Sequence, residues 1–304
     1  SSAAIQNATT AVGANSIAAG LGASAFGQGA MAFGDASVAV GQGAYAAGDG
    51  WAVGLGNTAI GAAAAAEAEQ GGTAVGALSV AMGTGSTAIG GDAQAYGEGS
   101  LVGGFGAGAN GLGGVALGAH SRAVSGAFGV ALGDSSFAIG EGAMGLGGLS
   151  WAEGTAAVAG GYWSTAVGDG SIALGGGMGV GLGGDGTIGP GEATMAVGSH
   201  AVALGFQAAA IGDGSLALGD QAQALQMNAT AVGAMSVAEG ESSTASGALS
   251  VAKGVESSAL GFQSMADADY SNAIGGSSYA GAMGAPQFIS SSYRNYAIDG
   301  DGVG

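Results

Sequence analysis

Basic residues are almost missing from this chain. Lys253, Arg122 and Arg294 are the only lysine and arginines in 304 residues, and the formal net charge is -18. Binding to nucleic acid requires basic side chains that neutralise phosphates, so nucleic-acid binding is excluded. The same charge argues against docking on an anionic membrane surface. We expect it to keep an otherwise apolar protein soluble through mutual repulsion.

Cysteine is absent, which excludes disulfides and thiolate metal sites and suits an exported bacterial protein. With only 2 prolines and no glycine at every third position, the 70 glycines do not indicate collagen. Only 8% of residues are charged and 48% are hydrophobic, the reverse of a disordered composition. Because soluble domains normally carry about 25% charged residues, we expect other copies of the chain to cover much of the surface.

Glycine recurs at every seventh position over long stretches. Such a short fixed period means that each unit must stack on its neighbours, which is typical of a solenoid. Only Gln226 and Ala268 replace the glycine in the most regular stretch, which contains Gly198, Gly205, Gly212, Gly219, Gly233, Gly240, Gly247, Gly254, Gly261 and Gly275.

Each unit, such as Ser37 to Gly41, alternates with a period of two and ends in a turn of small polar residues, which predicts a short strand and a turn. Seven residues are too few to close a ring. We therefore expect two strands and two turns in each coil of about 14 residues. Small side chains in every unit predict a flat interior, formed among others by Ala231, Ala238, Ala245, Ala252, Ala259, Ala266 and Ala273.

The residue before the glycine position differs between alternate units. It is Glu239, Lys253 and Asp267 in one set. In the other set it is Val232, Ser246, Leu260 and Ile274. One strand of each coil therefore faces water and the other faces an apolar environment. Since an alanine interior contributes only about 1 kcal/mol per residue, we expect a closed oligomer, with interface residues Val40, Val232, Leu260 and Ile274.

Three segments depart from the repeat. Ala62–Ala66 predicts either a short helical bulge or a distorted coil. The glycine-rich segment at about 176–193 predicts a protruding loop. Residues 276–304 predict a terminal cap or connector after a repeat domain over 1–275. The uncharged run 99–119 carries the glycine repeat, so we expect no membrane span.

Units such as Ser37-Val38-Ala39-Val40-Gly41 and Ser171-Ile172-Ala173-Leu174-Gly175 resemble the head repeats of trimeric autotransporter adhesins, typified by the YadA head. The resemblance covers about residues 9–275. It implies an all-β fold, a left-handed parallel β-roll, three copies of which associate at the tip of a bacterial surface fibre. No neck motif, stalk heptads or barrel strands are recognisable in 276–304.

Motifs for catalysis are weak. The GxGxxG match at Gly181–Gly186 has no strand-to-helix context. His120 and His200 follow a glycine by two residues, where a solvated turn is the simpler interpretation. We expect no enzyme activity and no cofactor. Acidic residues after the closing glycine predict hydrogen bonds that form the turns, or acidic stripes, or calcium binding at some turn: Asp35, Asp49, Asp134, Asp169, Asp213 and Asp220.

Tyr45, Tyr96 and Trp151 fall on the water-facing strands and are candidates for ligand contact, or for aromatic packing between strands. The primary hypothesis is an extracellular adhesion head on a bacterial surface that attaches multivalently to matrix, cells or surfaces. The alternatives are a subunit of an extracellular filament built by end-to-end stacking, and a segment of a phage tail fibre.

Overall fold

The computed structural model describes residues 1–47, 55–124, 126–177 and 193–280. Within these ranges the chain consists of short β-strands and tight turns, without a helix. The chain divides into two compact units, Ser1–Ala152 and Glu153–Gly304, each with its own pair of sheets.

In the first unit the strands alternate between two and three residues in length. They are β1 (Ala3–Ala4), β2 (Thr10–Val12), β3 (Ile17–Ala18), β4 (Ser24–Phe26), β5 (Met31–Ala32), β6 (Val38–Val40), β7 (Tyr45–Ala46), β8 (Thr58–Ile60), β9 (Ala65–Ala66), β10 (Thr73–Val75), β11 (Val80–Ala81), β12 (Thr87–Ile89), β13 (Gln94–Ala95), β14 (Leu101–Gly103), β15 (Gly108–Ala109), β16 (Val115–Leu117), β17 (Arg122–Ala123), β18 (Val130–Leu132), β19 (Phe137–Ala138), β20 (Met144–Leu146) and β21 (Trp151–Ala152).

The second unit keeps the same alternation. Its strands are β22 (Val158–Gly160), β23 (Thr165–Ala166), β24 (Ile172–Leu174), β25 (Met195–Ala196), β26 (Val202–Leu204), β27 (Ala209–Ala210), β28 (Leu216–Leu218), β29 (Gln223–Ala224), β30 (Thr230–Val232), β31 (Val237–Ala238), β32 (Thr244–Ser246), β33 (Val251–Ala252), β34 (Ser258–Leu260), β35 (Met265–Ala266), β36 (Asn272–Ile274) and β37 (Tyr279–Ala280).

Within each unit a strand pairs in parallel with the strand two further along the chain. The odd-numbered strands form one sheet, called here the odd sheet, and the even-numbered strands form the even sheet. Val80 pairs with Gln94 in the odd sheet and Thr73 with Thr87 in the even sheet, so one coil takes 14 residues. The predicted parallel β-solenoid of about 14-residue coils is confirmed.

The irregular coils lie where the glycine spacing changes. Thr58 pairs with Thr73, and Val115 with Val130, so each of these coils has one extra residue. Ala65–Ala66 forms β9, so the Ala62–Ala66 segment is a distorted coil and not a helical bulge. The loop predicted at 176–193 lies mostly outside the described residues, and the strands on either side of it, β24 and β26, pair directly. Beyond Gly275, β37 still pairs with β35, and 281–304 lie outside the described residues.

The interior between the two sheets of each unit is lined with alanine, as predicted. The second residue of each odd strand and the middle residue of each even strand point inward, so only small side chains fit. The alanines named from the sequence are all fully buried: Ala231, Ala238, Ala245, Ala252, Ala259, Ala266 and Ala273.

Two kinds of turn close each coil. The turn after an even strand, called here the glycine turn, opens on a glycine with positive φ, such as Gly104 at 131°. A Cβ on Gly104 would lie 2.5 Å from the carbonyl oxygen of Gly118 in the next coil, so only glycine fits. The turn after an odd strand is called here the carboxylate turn, and Gln226 and Ala268, which open it in their coils, have no positive φ.

Serine ends many of these turns and points into the coil. In the glycine turn its hydroxyl donates to the glycine carbonyl three residues earlier, at 2.7 Å for Ser250 and 2.8 Å for Ser236. In the carboxylate turn several equivalent hydroxyls are buried without a partner, among them those of Ser86, Ser100 and Ser215. These inward serines were not anticipated from the sequence, although their recurrence every 14 residues was visible.

Candidate binding surfaces

The outward face of the even sheet carries no charged side chain in the described residues of either unit. In the second unit its outward positions are Val158, Gly160, Ile172, Leu174, Val202, Leu204, Leu216, Leu218, Thr230, Val232, Thr244, Ser246, Ser258, Leu260, Asn272 and Ile274. The first unit has the same character, with Val12, Ile89 and Leu101 exposed among its outward residues.

The four predicted interface residues all occupy the last position of an even strand. Val40 ends β6 in the first unit, and in the second unit Val232, Leu260 and Ile274 end β30, β34 and β36. The last three lie in one register row, which also contains Ser246. Leu260 and Ile274 are 36% and 44% exposed, and Val40 and Val232 are half-buried. The sequence thus assigned these side chains to the correct face, and their role as an interface stays a prediction.

The odd sheet carries the charges that the even sheet lacks. Glu239, Lys253 and Asp267 follow β31, β33 and β35 and are exposed. Lys253 Nζ lies 3.4 Å from Asp267 Oδ1, and the phenol of Tyr279 donates to Asp267 Oδ2 at 3.3 Å. The two faces of the coil therefore differ in charge as well as in strand length.

The three predicted ligand-contact aromatics also belong to the odd sheet. Tyr45 opens β7 and packs edge-on against Phe33, with ring centroids 5.9 Å apart. Trp151 opens β21 and lies 4.9 Å from the ring of Phe137, its register neighbour. Tyr96 follows β13 and is 42% exposed. Tyr45 and Trp151 thus engage in the aromatic packing that the sequence left as an alternative, and ligand contact by all three stays a prediction.

Aspartates in the carboxylate turn bind the neighbouring coil rather than their own turn. Asp35 Oδ1 accepts the backbone N–H of Leu21 at 2.7 Å, and Asp213 Oδ1 accepts that of Ser199 at 2.8 Å. Asp169 and Asp269 bind Thr155 and Val255 in the same way. The acceptor is always 14 residues from the donor, so these side chains clamp adjacent coils together. The sequence predicted side-chain to backbone bonds here, but not that they cross from coil to coil.

The remaining predicted positions form no reaction centre among the described residues. His120 and His200 are exposed in turns, and the His120 ring packs edge-on against Phe105 with centroids 5.7 Å apart. No group of three or more acidic or histidine side chains is close enough to hold a metal ion in the ranges that the structure describes. Asp49 and the GxGxxG match at Gly181–Gly186 lie outside those ranges. None of the described residues forms an apolar helix long enough to cross a membrane.

Two-sided, alanine-filled coils of 14 residues define a class of parallel β-solenoids with one uncharged face. Comparison with protein families identifies the particular member of this class, because the model described as "YadA head domain repeat" matches eight segments that together span more than half of the chain. The chain belongs to this family of adhesin head domains. The matched segments are 4–37, 32–50, 81–107, 138–162, 152–177, 196–222, 210–234 and 224–250. No curated protein matches the chain.

A second family model, described as "Transglycosylase SLT domain", matches residues 258–304. Residues 258–280 of this segment form β34 to β37 and continue the solenoid. Its two described carboxylates have structural partners, since Asp267 pairs with Lys253 and Asp269 accepts the N–H of Val255. In the described part, the segment therefore has the structure of the head repeat.

Proposed function

We propose that this chain is the head module of a trimeric, surface-exposed bacterial adhesin. Three left-handed rolls associate through their even sheets, with Val40, Val232, Leu260 and Ile274 in the shared core. The observation that supports this arrangement is the complete absence of charge from one face of a protein that carries 21 acidic residues. An exposed apolar face of this length marks an interaction site, and identical faces close most simply in a cyclic oligomer.

In this arrangement the odd sheets and the carboxylate turns face the surroundings. Each trimer presents three copies of every surface feature, so weak single contacts with a host matrix or cell-surface molecule combine into firm attachment. Tyr45, Tyr96 and Trp151 are the proposed contact residues on this face. The module acts by binding and not by catalysis, which agrees with the structural nature of the head family.

The test is to measure native mass and attachment on the same preparation of the whole chain. We expect a trimer that binds to matrix-coated or cell-coated surfaces, and a Leu260→Asp variant that has lost both properties. Electron microscopy distinguishes the filament alternative, because discrete short particles support a head and indefinite fibres support a stacked subunit. Trimers that attach to no tested surface would contradict the adhesive role.

A further inference from the structure

Three large side chains stand in one row on the outward face of the odd sheet in the first unit. Arg122 pairs in register with Phe137, and Phe137 pairs with Trp151. Because neighbouring strands in a sheet are about 4.8 Å apart, these side chains lie on adjacent coils, side by side. The rings of Phe137 and Trp151 pack at a centroid distance of 4.9 Å with their planes inclined by 35°.

The aromatic pair is held rigidly. Both side chains are half-buried, and the residues that follow them inside the coil, Ala138 and Ala152, are almost completely buried. Rings fixed in this way lose little conformational entropy when a ligand packs against them. The pair therefore forms a rigid apolar wall beside Arg122.

Arg122 is open to the solvent on its other side. Its register neighbour there is Gly108, which has no side chain, and a Cβ at that position would meet only the carbonyl oxygen of Gln94, at 3.9 Å. Asn110 is exposed two residues further along the same coil. The row thus provides an approachable guanidinium between a bare backbone and an aromatic wall.

The charge of Arg122 is not neutralised within the described residues. Their only ion pair joins Lys253 to Asp267, at 3.4 Å, and Arg294 lies outside the described ranges. In a chain with 21 acidic residues and 3 basic ones, an exposed arginine without a carboxylate partner is conspicuous. A guanidinium is a planar fork of donors that suits the bidentate binding of a carboxylate.

We propose that Arg122, Phe137 and Trp151 form a binding site for a carboxylated saccharide. The sugar carboxylate pairs with the Arg122 guanidinium, and the apolar C–H side of the ring packs on Phe137 and Trp151. Amphipathic aromatic surfaces with a few polar groups are typical of such recognition. This inference rests on the proposed function, because it names the ligand class for the face that the trimer leaves exposed.

The surrounding charge narrows the ligand to one with few negative groups. With a net charge of -18, the protein repels polyanions at long range, whereas a single carboxylate on an uncharged sugar meets only the local field of Arg122. A peptide ligand would gain most from an unpaired strand edge. These three residues lie on strands that are paired on both sides or in the middle of the row, so the site offers side chains rather than backbone.

The test measures binding of the whole chain to immobilised sialyllactose, with lactose as the matched uncharged sugar. We expect sialyllactose to bind roughly tenfold more tightly or better, the effect of one charge-assisted hydrogen-bonded pair. Arg122→Gln should abolish the preference without changing the affinity for lactose. Trp151→Ala should weaken binding of both sugars.

Two variants serve as controls. Lys253→Gln removes another basic residue of the odd sheet, and Tyr270→Ala removes an aromatic side chain that is 61% exposed in a carboxylate turn. Both should bind sialyllactose like the parent protein. Circular dichroism and native mass, measured on every variant, establish that fold and oligomeric state are retained.

Equal binding of the two sugars, or an Arg122→Gln variant that keeps the preference, would overturn the site. So would a change of native mass in the Arg122 or Trp151 variants, because the patch would then be a contact between copies. A trimer that attaches to surfaces but ignores sialyllactose contradicts the saccharide site alone and leaves the proposed function intact. A monomeric parent protein contradicts the proposed function, and Arg122-dependent sugar binding would still support the site.

Discussion

At the scale of single residues, the two turns of a coil make different demands on glycine. The glycine turn needs a positive φ, as at Gly104, and a Cβ there would meet the backbone of the next coil. The opening position of the carboxylate turn has ordinary φ, so Gln226 and Ala268 are tolerated there. The two interruptions of the glycine repeat therefore mark the less demanding turn. This distinction was present in the sequence, but only the backbone angles explain it.

A matched pair of substitutions in one coil tests this difference. We expect Gly104→Ala to lower the free energy of unfolding by about 1–3 kcal/mol or more, because strained backbone and a steric contact combine. Gly99 also has a positive φ, 64°, but a Cβ there would have open space. Gly99→Ala should therefore cost less, about 1 kcal/mol. Thermal or denaturant unfolding of both variants gives the comparison, and equal losses would contradict the steric explanation.

At the scale of the coil, one side chain repairs the irregular region of the first unit. Asn57 is fully buried at the end of a carboxylate turn, where serine or alanine is usual. Its Nδ2 donates to the carbonyls of Ala47 at 3.0 Å and Ala68 at 2.7 Å, and its Oδ1 accepts the N–H of Gly72 at 2.7 Å. These bonds satisfy backbone groups that the extra residue of the next coil would leave unpaired.

Removing this side chain should destabilise the coil. We expect Asn57→Ala to lower the free energy of unfolding by about 1–3 kcal/mol, because buried backbone groups lose their partners. Ser86→Ala is the matched control: Ser86 is equally buried in a carboxylate turn, but its hydroxyl has no partner. Its removal should be neutral or slightly stabilising. A destabilised Ser86 variant, or a silent Asn57 variant, would refute this account of the buried polar groups.

The periodicity of the sequence predicted the coil length, the parallel pairing, the alanine interior and the two faces. Glu239 and Lys253 on one set of strands and Val232 and Leu260 on the other were enough to separate the odd sheet from the even sheet. The role of Asn57 was not predicted, because its partners lie 10 to 15 residues away in neighbouring coils. The clamps made by Asp35 and Asp213 were missed for the same reason.

At the scale of the whole molecule, the uncharged even face predicts how copies associate. Replacing Leu260 or Ile274 by aspartate would bury three uncompensated charges in the core of a trimer, at a cost of about 3–5 kcal/mol each. We expect both variants to dissociate. Glu239→Lys, a charge reversal on the exposed odd sheet, should leave the oligomer unchanged, with an effect of about 0.5 kcal/mol or less. Sedimentation velocity of the three variants separates the two faces, and an intact Leu260→Asp oligomer would show that the face assignment is wrong.

The native mass of the unmodified protein in dilute solution tests the central claim most directly. If thin, alanine-filled coils depend on sister copies to cover the even sheet, light scattering should give three times the 27.8 kDa of one chain. The same preparation should keep that mass on dilution until it unfolds. A folded, thermally stable species at 27.8 kDa would contradict the account.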